Sequence, residues 1–241
     1  MSDPISTKGL IIQTRQYGNN DRMVKLLTRE RGIVNFCAKG AAKQGSRNSF
    51  AAVPYSLSNV LLTDSHGFLY LKEGAVIESN RGILESIEAM AVASHFSERL
   101  SESVLQSDNA PEAYELAVYA YYALSKAPEN YAFIYSAFNW KLLDMLGFTV
   151  RYESYADSYL SLRDGEVIPF EGKKIHDPSF FFMSARAIRL LDLMSEAPIR
   201  NLFTISTDKS VIEEIRTFTT LYMSSQFDRE IEDPLKKIGL N

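Results

Sequence analysis

The chain of 241 residues is 46% hydrophobic, which is enough for one large domain or two small ones with a buried core. Its single cysteine, Cys37, excludes an internal disulfide or a multi-cysteine zinc site and fits a reducing compartment. No apolar run approaches the roughly 20 residues that span a bilayer, and Met1-Ser2-Asp3-Pro4 lacks signal-peptide features, so we expect a cytoplasmic protein. The net charge is −4, but residues 1–82 carry 11 Lys and Arg against 6 Asp and Glu, whereas the remainder carries 15 against 24.

The first 80 residues predict a small β-barrel. Alternating and β-branched patterns, separated by turn clusters such as Tyr17-Gly18-Asn19-Asn20, predict strands over residues 7–15, 22–28, 33–39, 55–63 and 68–78. In the third strand, Val34, Phe36 and Ala38 share one face, and Asn35, Cys37 and Lys39 share the other. Five short strands in this length are too few for a sandwich and favour a closed, OB-like barrel.

From Ile83 onward the hydrophobic period becomes helical. Apolar stripes run through residues 84–104, 114–121 and 131–145, and Gly147 is expected to end the third helix. Residues 148–182 lose this period and contain a hairpin signal, Asp164-Gly165, before helices resume at Ser184 and again over residues 211–222. We therefore predict an α+β protein: a five-stranded OB-fold barrel over residues 1–80, then a helical domain over residues 81–241 with an irregular insert at about 148–182.

No motif predicts catalysis. His66, His95 and His176 are not at metal-ligand spacing, and the chain has neither a glycine-rich phosphate loop nor a nucleophile elbow. Cys37 shares a strand face with Lys39, which would lower its pKa, but no partner histidine is identifiable, so a structural thiol is favoured. We expect no enzyme activity, no cofactor and no metal.

The basic residues near the N-terminus predict binding to a nucleic acid. Segment 8–47 holds nine Lys and Arg against two acidic residues, and a polyanion responds to a local face rather than to the net charge. An ordinary solvated surface explains the same charges equally well. Single-strand-binding barrels add aromatic faces to a basic groove; Phe36 is expected in the core, whereas Tyr17 is a candidate for base stacking. The predicted contact residues are Arg15, Tyr17, Arg22, Lys25, Arg29, Arg31, Lys39, Lys43 and Arg47.

Several short motifs in a fixed order carry a family resemblance. They are Lys8-Gly-Leu-Ile-Ile-Gln-Thr-Arg15-Gln-Tyr17-Gly, Leu26-Leu-Thr28-Arg-Glu30-Arg31-Gly32, Ala38-Lys39-Gly40-Ala41 followed by Ser46-Arg47, Leu69-Tyr-Leu71-Lys-Glu73, and Leu142-Leu143-Asp-Met-Leu146-Gly147-Phe148. Together they resemble the RecO family of bacterial recombination mediators. The similarity runs over most of the chain and is densest in the first 80 residues.

This resemblance implies an N-terminal OB-fold, a helical domain and a mediator role in DNA repair. Such proteins bind single- and double-stranded DNA, anneal complementary strands, contact the single-strand binding protein and cooperate with RecR to load RecA. These are the expected partners, in the cytoplasm at the nucleoid. The alternatives are an OB-fold RNA binder in translation or ribosome assembly, and a scaffold whose basic stretch binds an acidic protein tail.

The chain departs from the family pattern in three places. Many relatives carry four zinc-binding cysteines in the insert after the Leu-Gly-Phe segment, but residues 148–182 contain none, so we predict no zinc. Relatives often show Arg-Phe-Glu where this chain has Ala137-Phe138-Asn139, which places a basic contact to the tail of the single-strand binding protein in doubt there. The segment Asp228–Asp233 is more acidic than the resemblance leads us to expect.

Overall fold

The computed structural model describes residues 3–104 and 110–239. They form two compact units, which we call the first unit, up to Pro128, and the second unit, from Glu129 onward. The domain boundary expected near residue 80 stays a prediction. In the part of the chain that the structure describes, no helix is long and apolar enough to cross a membrane.

A closed five-stranded barrel begins the first unit. Its strands are β1 (Ile5–Tyr17), β2 (Asp21–Thr28), β3 (Gly32–Ala38), β4 (Leu57–Ser65) and β5 (Phe68–Glu78), arranged in the order β1-β2-β3-β5-β4. All neighbours are antiparallel except β3 and β5, which meet in parallel at Cys37 and Tyr70. The predicted five-stranded barrel is confirmed.

Alternate residues of the strands fill the barrel. Ile11, Val24, Phe36 and Leu62 are at most 1% exposed and pack in one cluster. Each such side chain contributes roughly 1.5–3 kcal/mol by leaving water. The alternation predicted for β3 is confirmed, because Phe36 points into the barrel, whereas Asn35 and Cys37 point out of it.

Gly9 marks the point at which β1 is shared between two partners. It pairs with Thr28 of β2 and with Ser58 of β4. A Cβ atom at this position would stand 2.4 Å from Leu26 Cγ and 2.8 Å from the carbonyl oxygen of Leu27. The wall of the barrel is therefore too tight here for any side chain.

We expect Gly9→Ala to lower the free energy of unfolding by about 2 kcal/mol, because the added methyl group forces the strands apart. Urea denaturation followed by circular dichroism measures this. The control is Ser6→Ala on the same strand, where the side chain is exposed and the change should stay below about 0.5 kcal/mol. Equal stability of the two variants would contradict the tight packing of Gly9.

Two helices, α1 (Ile87–Ser103) and α2 (Ala110–Lys126), complete the first unit. Ser97 Oγ lies 2.7 Å from the carbonyl oxygen of Ile12 and 2.7 Å from Tyr121 Oη, so one buried hydroxyl links β1 to both helices. The prediction that the helical stripe begins at Leu84 is wrong for the first turn. Residues 81–85 form a 3-10 turn, and the α-helix begins only after Ser86, whose side chain accepts from the backbone N–H of Ala89.

The second unit is built around α3 (Tyr131–Met145), which packs against α4 (Ala185–Glu196) and α6 (Lys209–Gln226). Short helices α5 (Ile199–Leu202) and α7 (Pro234–Lys237) flank α6 in the sequence. Gly147, at φ +87°, ends α3 as predicted, and the N–H of Phe148 donates to the carbonyl of Leu143 at 2.9 Å.

Buried aromatic side chains lie between these helices. Trp140 is 1% exposed, and its ring centroid lies 6.1 Å from that of Phe218 and 6.3 Å from that of Tyr222. Trp140 Nε1 donates to the carbonyl of Leu191 at 2.9 Å, so its polar atom is satisfied inside the core.

The insert is more regular than predicted. Strands β6 (Ser158–Ser161), β7 (Val167–Pro169) and β8 (Phe180–Met183) form an antiparallel sheet in the order β7-β6-β8. The predicted hairpin around Asp164-Gly165 joins β6 to β7 and is confirmed. Strand β8 was missed because a strand of this length carries too little pattern to be separated from the following helix.

Candidate nucleic-acid interface

The register of the barrel aligns side chains in a row on its outer wall. Arg15 pairs with Met23, Met23 with Cys37, and Cys37 with Tyr70. Because directly paired residues point to the same side of a sheet, these four side chains cross β1, β2, β3 and β5 in sequence. Their neighbours along the strands, such as Val24, belong to the core, so this row faces outward.

Alternation along the strands adds further cations and rings to the same surface. Lys25 pairs with Gln13 on one side of the row, and Tyr17 lies on the other side, where its ring is 52% exposed. Phe68, which is 39% exposed, lies two residues before Tyr70. Lys72 lies two residues after Tyr70 at a β-bulge, and its exposure places it on the outside of the barrel. We call this surface the basic–aromatic face, and its members are Arg15, Tyr17, Lys25, Lys39, Phe68, Tyr70 and Lys72.

Direct contacts order part of the face. Lys39 Nζ lies 4.5 Å from the centroid of the Tyr70 ring, a cation–π geometry. The Tyr70 ring is in turn tilted against Phe68, with centroids 5.1 Å apart. A cation and two rings thus lie side by side at the start of β5.

The basic loop after β3 is fastened to the turn between β1 and β2. The N–H of Gly40 donates to Asp21 Oδ1 at 2.8 Å, and the N–H of Ala42 donates to the carbonyl of Asn20 at 2.9 Å. Gly40 has φ +66°, a conformation that favours glycine. The exposed side chains of Lys43 and Arg47 therefore belong to a loop held beside the face.

The structure does not bring all nine predicted residues together. Arg22 pairs with Ala38, a core residue, so it extends from the opposite side of β2 and donates to the carbonyl of Asp21 at 3.1 Å. Arg29 and Arg31 lie in the exposed turn after β2. Because β2 rises roughly 3.3 Å per residue, this turn is about 23 Å from the end of the strand at Asp21.

Comparison with known proteins assigns the chain to a protein family. Residues 1–80 match the family model for the N-terminal domain of recombination protein O, and residues 84–234 match the model for its C-terminal domain. The chain belongs to the RecO family.

Three curated RecO relatives are similar to this chain over most of their length. The DNA repair protein RecO of Bacillus pumilus is 26% identical over 251 residues, which cover 98% of this chain and 97% of the relative. That of Bacillus subtilis is 26% identical over 224 residues, 89% of this chain and 86% of the relative. That of Salinibacter ruber is 22% identical over 243 residues, 97% and 92% respectively. Membership of the RecO family supports a role in DNA repair and recombination.

The sequence-based prediction for this RecO chain missed Phe68, Tyr70 and Lys72. The alternation of two aromatic residues and a lysine within a predicted strand was the available signal. Their nearness to Lys39 depends on the parallel contact between β3 and β5, which joins positions 37 and 70.

Cys37 is 1% exposed in the middle of the row. Burial raises the pKa of its thiol, the Asp21 carboxylate raises it further, and Lys39 acts in the opposite direction. This supports the interpretation of Cys37 as a structural thiol. Within residues 3–104 and 110–239, no group of three or more His, Cys, Asp and Glu side chains is placed to hold a metal ion.

Proposed function

We propose that this RecO-family chain binds single- and double-stranded DNA through the basic–aromatic face, anneals complementary strands, and helps load RecA on strands coated by the single-strand binding protein. One observation supports the binding site above all. Four cations and three rings, from strands that are distant in sequence, share one outer surface of the barrel.

Each class of side chain has a separate task in this proposal. Arg15, Lys25, Lys39 and Lys72 neutralise phosphates and release counterions, which makes binding dependent on salt. The exposed rings of Tyr17 and Phe68 stack on bases without reading their sequence. A duplex engages the cations alone, because its bases are already stacked.

Annealing follows from holding two strands on one surface. Cations that neutralise the phosphates of both strands reduce their repulsion and raise the local concentration of one strand near the other. Pairing then proceeds as an almost intramolecular event. This mechanism makes and breaks no covalent bond, so it needs no catalytic group.

Partner contacts are assigned to the rest of the chain. Residues 83–241 carry 15 Lys and Arg against 24 Asp and Glu, a charge that repels DNA and leaves this part for proteins. We propose RecR and the single-strand binding protein as direct partners and RecA as an indirect one.

A salt titration of the affinity for a labelled single strand tests the proposed face. Four phosphate contacts predict a slope of about −3 in log affinity against log salt. The same protein should accelerate annealing of complementary oligonucleotides. If the protein neither binds the single strand at low salt nor accelerates annealing, the proposal is refuted. A clear preference for RNA of matched sequence would favour the RNA-binding alternative in translation.

A further inference from the structure

A carboxylate lies among the cations and rings of the basic–aromatic face. Asp21 pairs with Tyr17 across the turn between β1 and β2, and directly paired residues point to the same side of a sheet. The register of β2 with β3 places Asp21 opposite Lys39, one position beyond the last pair of the two strands. A negative charge at this position repels phosphates, so its presence on a surface proposed to bind a polyanion requires a reason.

Asp21 and Lys39 have different partners. Lys39 Nζ lies 4.5 Å from the centroid of the Tyr70 ring, so its ammonium group is directed to that ring. Asp21 Oδ1 instead accepts from the backbone N–H of Gly40 at 2.8 Å. A hydrogen bond to an ionised acceptor is stronger than one between neutral groups. The carboxylate therefore holds the backbone directly after Lys39.

Gly40 is the point at which the basic loop is held. Lys39 precedes it directly, and the N–H of Lys43 donates to the carbonyl of Gly40 at 3.0 Å. A Cβ atom added at Gly40 would lie 3.6 Å from Lys43 Cδ, so the Lys43 side chain lies against the Gly40 backbone. Both lysines are exposed. A restraint on Gly40 therefore restrains two cationic side chains.

Loss of the carboxylate would leave the loop less restrained. The bond from the N–H of Ala42 to the carbonyl of Asn20, at 2.9 Å, would still join the loop to the turn. The backbone at Gly40 would lose its charged acceptor, and Lys39 and Lys43 would sample more positions. Side chains and loops that must be ordered on binding reduce the affinity, whereas a preorganised site avoids that cost.

We propose that Asp21 is a positioning residue for DNA binding: its carboxylate strengthens the binding of a polyanion, because it fixes the loop that carries Lys39 and Lys43. The gain from two ordered cations exceeds the repulsion between one carboxylate and the nearby phosphates, which salt screens. This inference rests on the proposed binding of single strands by the basic–aromatic face.

Substitutions of Asp21 separate its charge from its hydrogen bond. Asp21→Ala removes both and should lower the affinity for a labelled single strand about fivefold, although a negative charge is lost. The slope of log affinity against log salt should change from about −3 to about −2, because one phosphate fewer is held. Asp21→Asn removes only the charge, since an amide oxygen also accepts. It should bind at least as tightly as the unmodified chain.

Asp21→Glu keeps the charge but displaces the acceptor by one methylene group, so it should bind no more tightly than Asp21→Ala. The comparison of Asp21→Glu with Asp21→Asn tests the proposal even if Asp21→Ala does not fold. Thermal melting of the same samples shows which variants are folded. Asp177→Ala is the matched control, because Asp177 Oδ1 accepts from the N–H of Ser179 at the same 2.8 Å in the second unit. It should leave the affinity and the salt slope unchanged.

Tighter binding by both Asp21→Ala and Asp21→Asn would show that the carboxylate only repels DNA. That result would overturn the positioning role and leave the proposed face intact. Equal affinities of Asp21→Asn and Asp21→Glu would overturn it as well. If the unmodified chain does not bind the single strand at low salt, the proposed function itself fails.

Discussion

Reversing the charge of Arg15 and Lys39 together is expected to lower the affinity for single-stranded DNA by about 100-fold at physiological salt. Each substitution to glutamate removes a cation from the basic–aromatic face and places a repulsive carboxylate near the strand. Both side chains are exposed, so the thermal stability should remain nearly unchanged. Titration of a labelled oligonucleotide, together with thermal melting, measures the two quantities.

The matched control is Arg29→Glu with Arg31→Glu. It changes the net charge by the same amount on two exposed residues at the far end of β2. At physiological salt, charges act over roughly 8 Å, so this variant should lose much less affinity. An equal loss in both double variants would show that the overall charge of the barrel, rather than one face, determines binding. Joint loss of affinity and stability in the first variant would indicate a structural role for Arg15 and Lys39.

Asp233→Ala is expected to lower the free energy of unfolding of the second unit by about 3 kcal/mol. Asp233 Oδ2 lies 2.9 Å from Arg216 Nε, and both side chains are 4% exposed. The same carboxylate accepts from the N–H of Leu235 at 2.9 Å and so begins α7. Among the described residues, the variant leaves buried Arg216 with only the half-exposed Glu213 as an ion-pair partner, at 3.1 Å.

Urea denaturation followed by circular dichroism measures this loss. Glu230→Ala removes the same charge from an exposed position of the same segment and should cost less than about 0.5 kcal/mol. A double variant, Arg216→Met with Asp233→Leu, should regain much of the lost stability, because replacing both ions avoids an uncompensated buried charge. If Asp233→Ala and Glu230→Ala were equally stable, the buried pair would contribute nothing.

The barrel could be predicted from the sequence because its signal is local. Residues such as Val34 and Phe36 alternate with polar neighbours within each strand, and one face of every strand is buried. The start of α1 was misplaced for a similarly local reason. Leu84 continues the helical spacing of the apolar residues, but the capping hydroxyl of Ser86 begins the helix later.

The candidate site was only partly predictable because it depends on how distant strands meet. Arg15, Lys25 and Lys39 were selected from the charge of one segment and Tyr17 as a stacking candidate within it, and the structure places all four on one surface. The basic segment ends at Arg47, so a selection based on its charge could not include residues 68–72. The same selection also included Arg29 and Arg31 in the turn after β2. Those residues are close to Lys25 in sequence, but an extended strand separates them from the face.

The buried Trp140 gives the second unit an optical label of its own. It is the only tryptophan in the sequence, and the first 128 residues contain none. Fluorescence excited at wavelengths that tyrosine does not absorb therefore arises from the second unit alone. Its emission should shift to the red when the helices around Phe218 and Tyr222 separate, whether or not the barrel is still folded.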